Sequence, residues 1–236
     1  MINDLGIIVA AAGSGERYGS NKLLEPLNSL PLFIHCLQQF ITVCPAKQLI
    51  LVVSRNEQHH FSNALERFMP GSGIIIIEGG VSRSQSIANG LQLLNENVNY
   101  VAVHDAARPF ATVKLLKSCL STARQYGGAI PAKPVTDTLK RVDENNLITA
   151  AVCREQLWRV ETPQLFNLAL LRKAYRLAEA STTESLVEFT DDAAIMAAAG
   201  LPVKIVNDPD PNLKITYPED IATAELILNR QKNIHN

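Results

Sequence analysis

Gly13 and Gly15, followed by the cations Arg17 and Lys22, close an apolar run in the stretch IIVAAAGSGERYGSNK. Small residues let backbone N–H groups approach an anion closely, and the two cations add full charges a few residues on, a pattern that suits a polyphosphate. The stretch is not a Walker A loop, because Leu23 follows Lys22 where Ser or Thr is needed and no glycine stands immediately before the lysine. It also misses the dinucleotide fingerprint, since the third glycine is Gly19, one residue late. Glycine loops are weakly specific, so by itself the stretch suits a strand-to-helix turn with two solvated cations equally well.

A second candidate lies in VAVHDAARPF, where His104 and Asp105 end another apolar run. An ionised carboxylate facing phosphates demands a hard cation such as Mg²⁺, because two anions repel, so Asp105 is the predicted metal ligand. Its competing use is as a cap for the following segment. Arg108 suits an anion or a structural ion pair. Lys214, in DPNLKIT, and Arg154, in VCRE, each read alone as solvated cations.

These residues need elements to hold them. Short β-branched runs at Leu5 to Ala10, Gln48 to Val53, Gly73 to Glu78, Tyr100 to His104 and Ala129 to Ala132 alternate with helical periodicity. The helical stretches are Pro31 to Val43, Glu57 to Phe68, Ser82 to Asn95 and Thr112 to Tyr126. Apolar strands without polar alternation are buried on both faces, and the intervening helices supply right-handed crossovers. The expectation is one α/β domain over residues 1–236, a three-layer α/β/α sandwich around a mostly parallel, Rossmann-like sheet. Ligands bind beyond the carboxyl ends of such strands, where the glycine loop, the EGG after the third run and HDAARPF all fall.

One segment breaks the alternation. Thr136 to Glu155 is predicted to form a protruding β-hairpin arm about a polar turn at Asp143 to Asn146. An isolated hairpin is marginal in water, so it should pack against a partner subunit to give a homodimer, or dock back on its own domain. After LWRVETPQLF come predicted helices near Leu168 to Ala180 and Asp191 to Ala199, a strand at Val203 to Val206 and a closing helix around Pro218 to Arg230.

An apolar fraction of 47% and a net charge of -1 argue against disorder and against a nucleic-acid surface, leaving a small-molecule partner as the default. The sequence shows no signal-peptide pattern and no apolar run long enough to span a bilayer, so a cytoplasmic protein is expected. Cys36, Cys44, Cys119 and Cys153 lack CxxC spacing and read as buried or incidental thiols.

Seven stretches, in order, resemble the 2-C-methyl-D-erythritol 4-phosphate cytidylyltransferase family of nucleotidyltransferases: AAAGSGERYGSNK, EGGVSRSQSIANGL, VAVHDAARPF, PVTDTLKR, CREQLWRVETPQLF, FTDDAAIMAAAG and NLKITYPEDIATAE. HDAARPF together with LWRVETPQLF is the most specific part. The resemblance implies cytidylyl transfer from CTP to the methylerythritol phosphate with release of pyrophosphate, and a homodimer joined through the arm. It implies that Arg17 and Lys22 stabilise the pentavalent state, with Ala11, Ala12, Gly13 and Gly15 around the triphosphate and Gly80 and Ser86 at the nucleoside. Asp105 would hold Mg²⁺, and Asp105, Ala106, Arg108, Thr138, Arg154, Thr190 and Lys214 would bind the sugar phosphate, Arg154 and Lys214 also serving catalysis. Two positions depart from the family pattern. Val81 stands where an acid commonly follows the paired glycines, and Asn21 where proline commonly precedes the loop lysine, which implies a looser loop. Ribitol 5-phosphate is an alternative acceptor. A dinucleotide-binding dehydrogenase would need an acid at the end of the second strand, where the first acid is Glu57, and a silent nucleotide-binding subunit would bind CTP without turnover.

Overall fold

A computed structural model describes residues 1–13, 21–181 and 189–235. In chain order the elements are β1 (Leu5–Ala11), β2 (Pro26–Leu27), β3 (Leu30–Pro31), α1 (Leu32–Phe40), β4 (Leu49–Val53), α2 (Gln58–Phe68) and β5 (Ile75–Glu78). They continue with α3 (Arg83–Leu93), β6 (Tyr100–Asp105), α4 (Val113–Tyr126), β7 (Gly128–Pro134), β8 (Leu139–Val142) and β9 (Ile148–Val152). The chain closes with β10 (Trp158–Val160), β11 (Gln164–Asn167), α5 (Leu168–Ser181), α6 (Asp192–Ala198), β12 (Lys204–Asn207) and α7 (Asp220–His235).

Hydrophobic alternation builds three layers. Along β1, Ile7 and Val9 face a core shared with α1, α2 and α4, while Ile8 faces a second core formed with α3, α5 and α6. Strands β4 and β6 divide in the same way, with Leu51 and Ala102 on the first side and Ile50, Val52, Val101 and Val103 on the second. A strand buried on both faces needs apolar residues at every position, which is why these runs lack polar alternation. The sandwich expected from the sequence is therefore present.

The main sheet runs β10-β7-β11-β6-β1-β4-β5, with β12 also paired to β7. β1 pairs in parallel with β4 and β6, and β5 extends this half beside β4. From β1 the chain builds outward through β4 and β5, then returns to lay β6 on the opposite side. Such a reversal opens a crevice at the carboxyl ends of β1 and β6.

The other half departs from the simple expectation. LWRVETPQLF supplies two short strands: β10 runs antiparallel to β7, and β11 lies antiparallel between β6 and β7. Their three- and four-residue runs mix apolar and polar side chains about Pro163, so periodicity has too little length to reveal them. The predicted arm is present as β8 and β9, paired antiparallel from Leu139 and Val152 inward. Asp143 Oδ1 accepts the N–H groups of Asn145 and Leu147, each at 2.9 Å, which closes the turn.

Cys36, Cys44 and Cys119 are buried, and burial pushes each thiol up to about 12, so none of the three is a thiolate at neutral pH. Cys153 is exposed on the arm side. No helix among the described residues is long and apolar enough to cross a membrane.

Candidate active site

The crevice at the carboxyl edge contains a cavity of about 730 Å³. Ala11, Ala12 and Gly13, leaving β1, form one wall, and Gly80 to Arg83, entering α3, form another. Asp105 at the end of β6, Lys22 and Lys214 complete the charged lining. Gly15 and Arg17 lie outside the described residues.

The two walls meet because Gly79 has no side chain. A Cβ there would sit 2.6 Å from Ala12 Cβ and 2.7 Å from Ser86 Oγ, distances that only hydrogen can occupy. Ser82 then caps α3, accepting the Gln85 N–H at 3.0 Å. Its neighbour Ser86 is buried, accepting from Gly80 N–H at 3.0 Å and donating to the Ser82 carbonyl at 2.8 Å. That hydroxyl is thus committed to shaping the loop, which holds the N-terminus of α3 toward the cavity, favourable ground for an anion. Val81, after the paired glycines, is 96% exposed and brings no charge to the cavity it lines. Asn21 provides a local restraint in place of proline: its Oδ1 accepts the Leu23 N–H at 3.2 Å, fixing the turn that carries Lys22.

Asp105 is held by two cations. Lys214 Nζ donates to Oδ2 at 2.8 Å, and Arg83 approaches Oδ1 at 3.5 Å. Burial alone would raise the Asp105 carboxyl, but Lys214 and then Arg83 overcome it and hold the group below the ordinary carboxylate range. The cation that the charge argument demands of a carboxylate near phosphates is therefore already partly supplied by the protein. Lys214 is exposed at 42%, as the isolated reading of a surface lysine has it, but its ammonium is committed to Asp105 rather than left to solvent alone.

Arg83 escaped the sequence reading. It also donates to the fully buried Asp192 at 2.8 Å, and Tyr175 donates to the other Asp192 oxygen at 2.7 Å. A signal existed: a cation in the first turn of a helix opposes the helix dipole and so points to a specific acidic partner.

His104 anchors the Asp105 loop from behind. Its Nε2 lies 3.0 Å from the Arg108 carbonyl, which can only accept, so Nε2 carries the proton and Nδ1 accepts from Thr162 Oγ1 at 3.0 Å. The same hydroxyl accepts the Asp105 N–H at 3.1 Å. The imidazole is fully buried, edge-on to Phe40, and burial pushes it down to about 4. Between about pH 6.5 and 4 the unfolded imidazole takes a proton that the folded one refuses, so stability falls as pH drops through this window. The full loss is about 3 kcal/mol. Urea midpoints at successive pH values should show this slope in the wild type and lose most of it in His104→Gln; identical slopes would remove the role.

Other predicted residues lie elsewhere. Ala106 is buried with its N–H committed to the Ala10 carbonyl, and Ala107 lines the cavity in its place. Arg108 faces a second cavity of about 650 Å³, which Lys214 also lines. Thr138 and Arg154 are exposed on the arm, where Arg154 donates to the Thr136 carbonyl. Thr190 is exposed and lines neither cavity. Within one chain, the structure gathers Lys22, Asp105 and Lys214 but not Arg154, Thr138 or Thr190.

A doubly wound α/β sheet with a glycine-walled, cation-lined crevice at its switch point defines a protein built to take a phosphorylated nucleotide. The 2-C-methyl-D-erythritol 4-phosphate cytidylyltransferase family matches residues 5–230, and the chain belongs to that family. The enzyme of that name from Bacillus mycoides is 37% identical over 228 residues, covering 96% of this chain and 98% of its own. The crystal structure of the Thermus thermophilus enzyme superposes with a TM-score of 0.78 at 30% identity, covering 97% of this chain and 100% of its own. The Francisella tularensis enzyme superposes with a TM-score of 0.80 at 25% identity, covering 95% of this chain and 100% of its own.

Proposed function

We propose that this chain, working in the cytoplasm, transfers the cytidylyl group of CTP to 2-C-methyl-D-erythritol 4-phosphate in isoprenoid precursor synthesis. A phosphate oxygen of the acceptor attacks the α-phosphorus, a new P–O bond forms, and the bond to pyrophosphate breaks. The observation that carries the reading is the cluster of Lys22, Arg83 and Lys214 around Asp105 on a glycine-walled cavity. Little covalent chemistry falls to the protein in such a transfer, so positioning and charge stabilisation dominate. Lys22, with Arg17, serves the charge developing at the α-phosphorus. Lys214 orients the acceptor from the far side of Asp105, and Arg108, Thr138, Arg154 and Thr190 hold its phosphate and hydroxyl groups.

A magnesium ion fits the residues present. Asp105 is the cavity's single carboxylate among the described residues, and each of its oxygens has a lone pair beyond the contacts with Lys214 and Arg83. No group of three His, Cys, Asp or Glu side chains comes together among the described residues, so substrate phosphates and water would complete the shell around Asp105. Once bound, the ion would neutralise charge on the triphosphate.

The arm supports a homodimer as the working form. Val142, Leu147 and Ile148 on the hairpin and Leu157, Trp158 and Val160 beside it are exposed, an apolar set suited to a second copy. Arg154 and Thr138 would then reach the acceptor from the neighbouring subunit. Sedimentation equilibrium should return twice the chain mass; a monomer at micromolar concentration would remove the exchanged arm. The activity itself is tested by pyrophosphate release with CTP, Mg²⁺ and the methylerythritol phosphate, beside ribitol 5-phosphate as competing acceptor. No release from folded protein would overturn the reading, and preference for ribitol 5-phosphate would replace the acceptor.

A further inference from the structure

Asn212 is buried and lines the second cavity, yet half of its amide has no partner. Its Nδ2 donates to the Thr162 carbonyl at 2.9 Å, which leaves Oδ1 buried with nothing to accept from. A buried acceptor left unpaired costs free energy that an apolar side chain of similar size would not, so packing alone does not explain an asparagine here. Its backbone supplies the reason. The Asn212 carbonyl accepts from Arg108 Nη1 at 2.8 Å, the one hydrogen bond the guanidinium makes among the described residues, and Arg108 Nε is buried without a partner.

These contacts close a ring. Asn212 Nδ2 holds the Thr162 carbonyl, Thr162 Oγ1 donates to His104 Nδ1, His104 Nε2 donates to the Arg108 carbonyl, and Arg108 Nη1 returns to the Asn212 carbonyl. Asp105 is tied to it through its N–H on Thr162 Oγ1. Beyond Asn212, the Ile215 N–H donates to the Ala107 carbonyl at 2.9 Å, so the segment carrying Lys214 is pinned on either side of that residue. His104, Thr162 and Asn212 are buried, whereas Arg108 and Lys214 both line the cavity. The four members come from the end of β6, the loop after it, the connection between β10 and β11, and the segment after β12. No single element therefore fixes the guanidinium.

We propose that Asn212 is a positioning residue that aims Arg108 at the acceptor's phosphate: its side chain, anchored on Thr162, orients the carbonyl that holds Nη1 and leaves the other guanidinium donors to the phosphate. The proposal rests on the reading that this phosphate binds beside Arg108 and Lys214. A long arginine side chain has many rotamers, and a phosphate that must first order it loses affinity, whereas a guanidinium already held in place spares that cost. CTP gains far less. The glycine walls of the first cavity, at Ala11 to Gly13 and Gly80 to Arg83, contribute no member to the ring.

Asn212→Ala removes the anchor and keeps the backbone carbonyl. KM for the methylerythritol phosphate should rise roughly tenfold while KM for CTP moves less than about twofold. Arg108→Ala should weaken acceptor binding by itself, and adding Asn212→Ala to it should cost little more, because Asn212 acts through Arg108. In nitrogen-15 spectra the Arg108 guanidinium, identified by its loss in Arg108→Ala, should rotate slowly in the wild type and freely in Asn212→Ala. Thermal melts check that each variant is folded, and Asn212→Ser, whose hydroxyl is too short to reach the Thr162 carbonyl, carries the same expectations if Asn212→Ala does not fold. Additive losses in the double variant, equal rises in both KM values, or an equally slow guanidinium in Asn212→Ala would overturn the proposal. The spectra need no turnover, and inorganic phosphate titrated calorimetrically replaces the acceptor if the wild type releases no pyrophosphate. That failure counts against the functional reading alone.

Discussion

Lys22→Ala should lower kcat by roughly 10² to 10³ while changing KM for CTP far less, a loss of about 3 to 4 kcal/mol in the transition state. Lys22 lines the crevice with Asp105 and Lys214, carried by the turn that Asn21 caps. Negative charge spreads over the equatorial oxygens as the α-phosphorus becomes five-coordinate, so a fixed ammonium interacts more strongly there than with the ground-state triphosphate. Only that difference accelerates the chemical step. Steady-state kinetics with CTP varied at saturating acceptor decides the matter: a rise in KM at unchanged kcat would make Lys22 a plain binding group and sink the assignment. Arg17→Ala should show a loss of the same kind.

The second large effect concerns stability. Asp192→Ala should destabilise the protein by about 3 to 5 kcal/mol, because it leaves Arg83 and Tyr175 without the buried carboxylate that both contact. Burial on its own would lower the Arg83 guanidinium; Asp192 and then Asp105 reverse this, so Asp192 is its main counter-charge. Removing it leaves a largely buried cation with only the longer Asp105 contact, a costlier change than deleting the whole pair. Asp192→Asn keeps a group able to accept from Tyr175 and removes the charge, so its loss measures the ionic part. Urea denaturation with a constant m-value reads both variants, and a loss below about 1 kcal/mol in Asp192→Ala would contradict the network. Arg83 would also turn more fully to Asp105, so activity should fall in folded Asp192→Asn.

Sequence alone placed the strands at β1, β4, β5, β6 and β7 and the helices between them to within a few residues, because apolar runs and helical periodicity are written locally in the side chains, even at the half-buried edge strand β5. It also placed the glycine loop, EGG and HDAARPF at one edge, since a parallel sheet delivers every carboxyl end to the same side. Tertiary structure decided what those loops do to one another. Lys214 stands 109 residues from Asp105, and Asp192 the same distance from Arg83. No local pattern encodes either pairing; each exists because β12 returns beside β7 and α6, packed against α5, brings its first residue to Arg83. An ionisable side chain takes its charge and its role from neighbours brought in by distant segments, whereas a strand takes its burial pattern from its own residues, and that difference divides what the sequence determined from what only folding could decide.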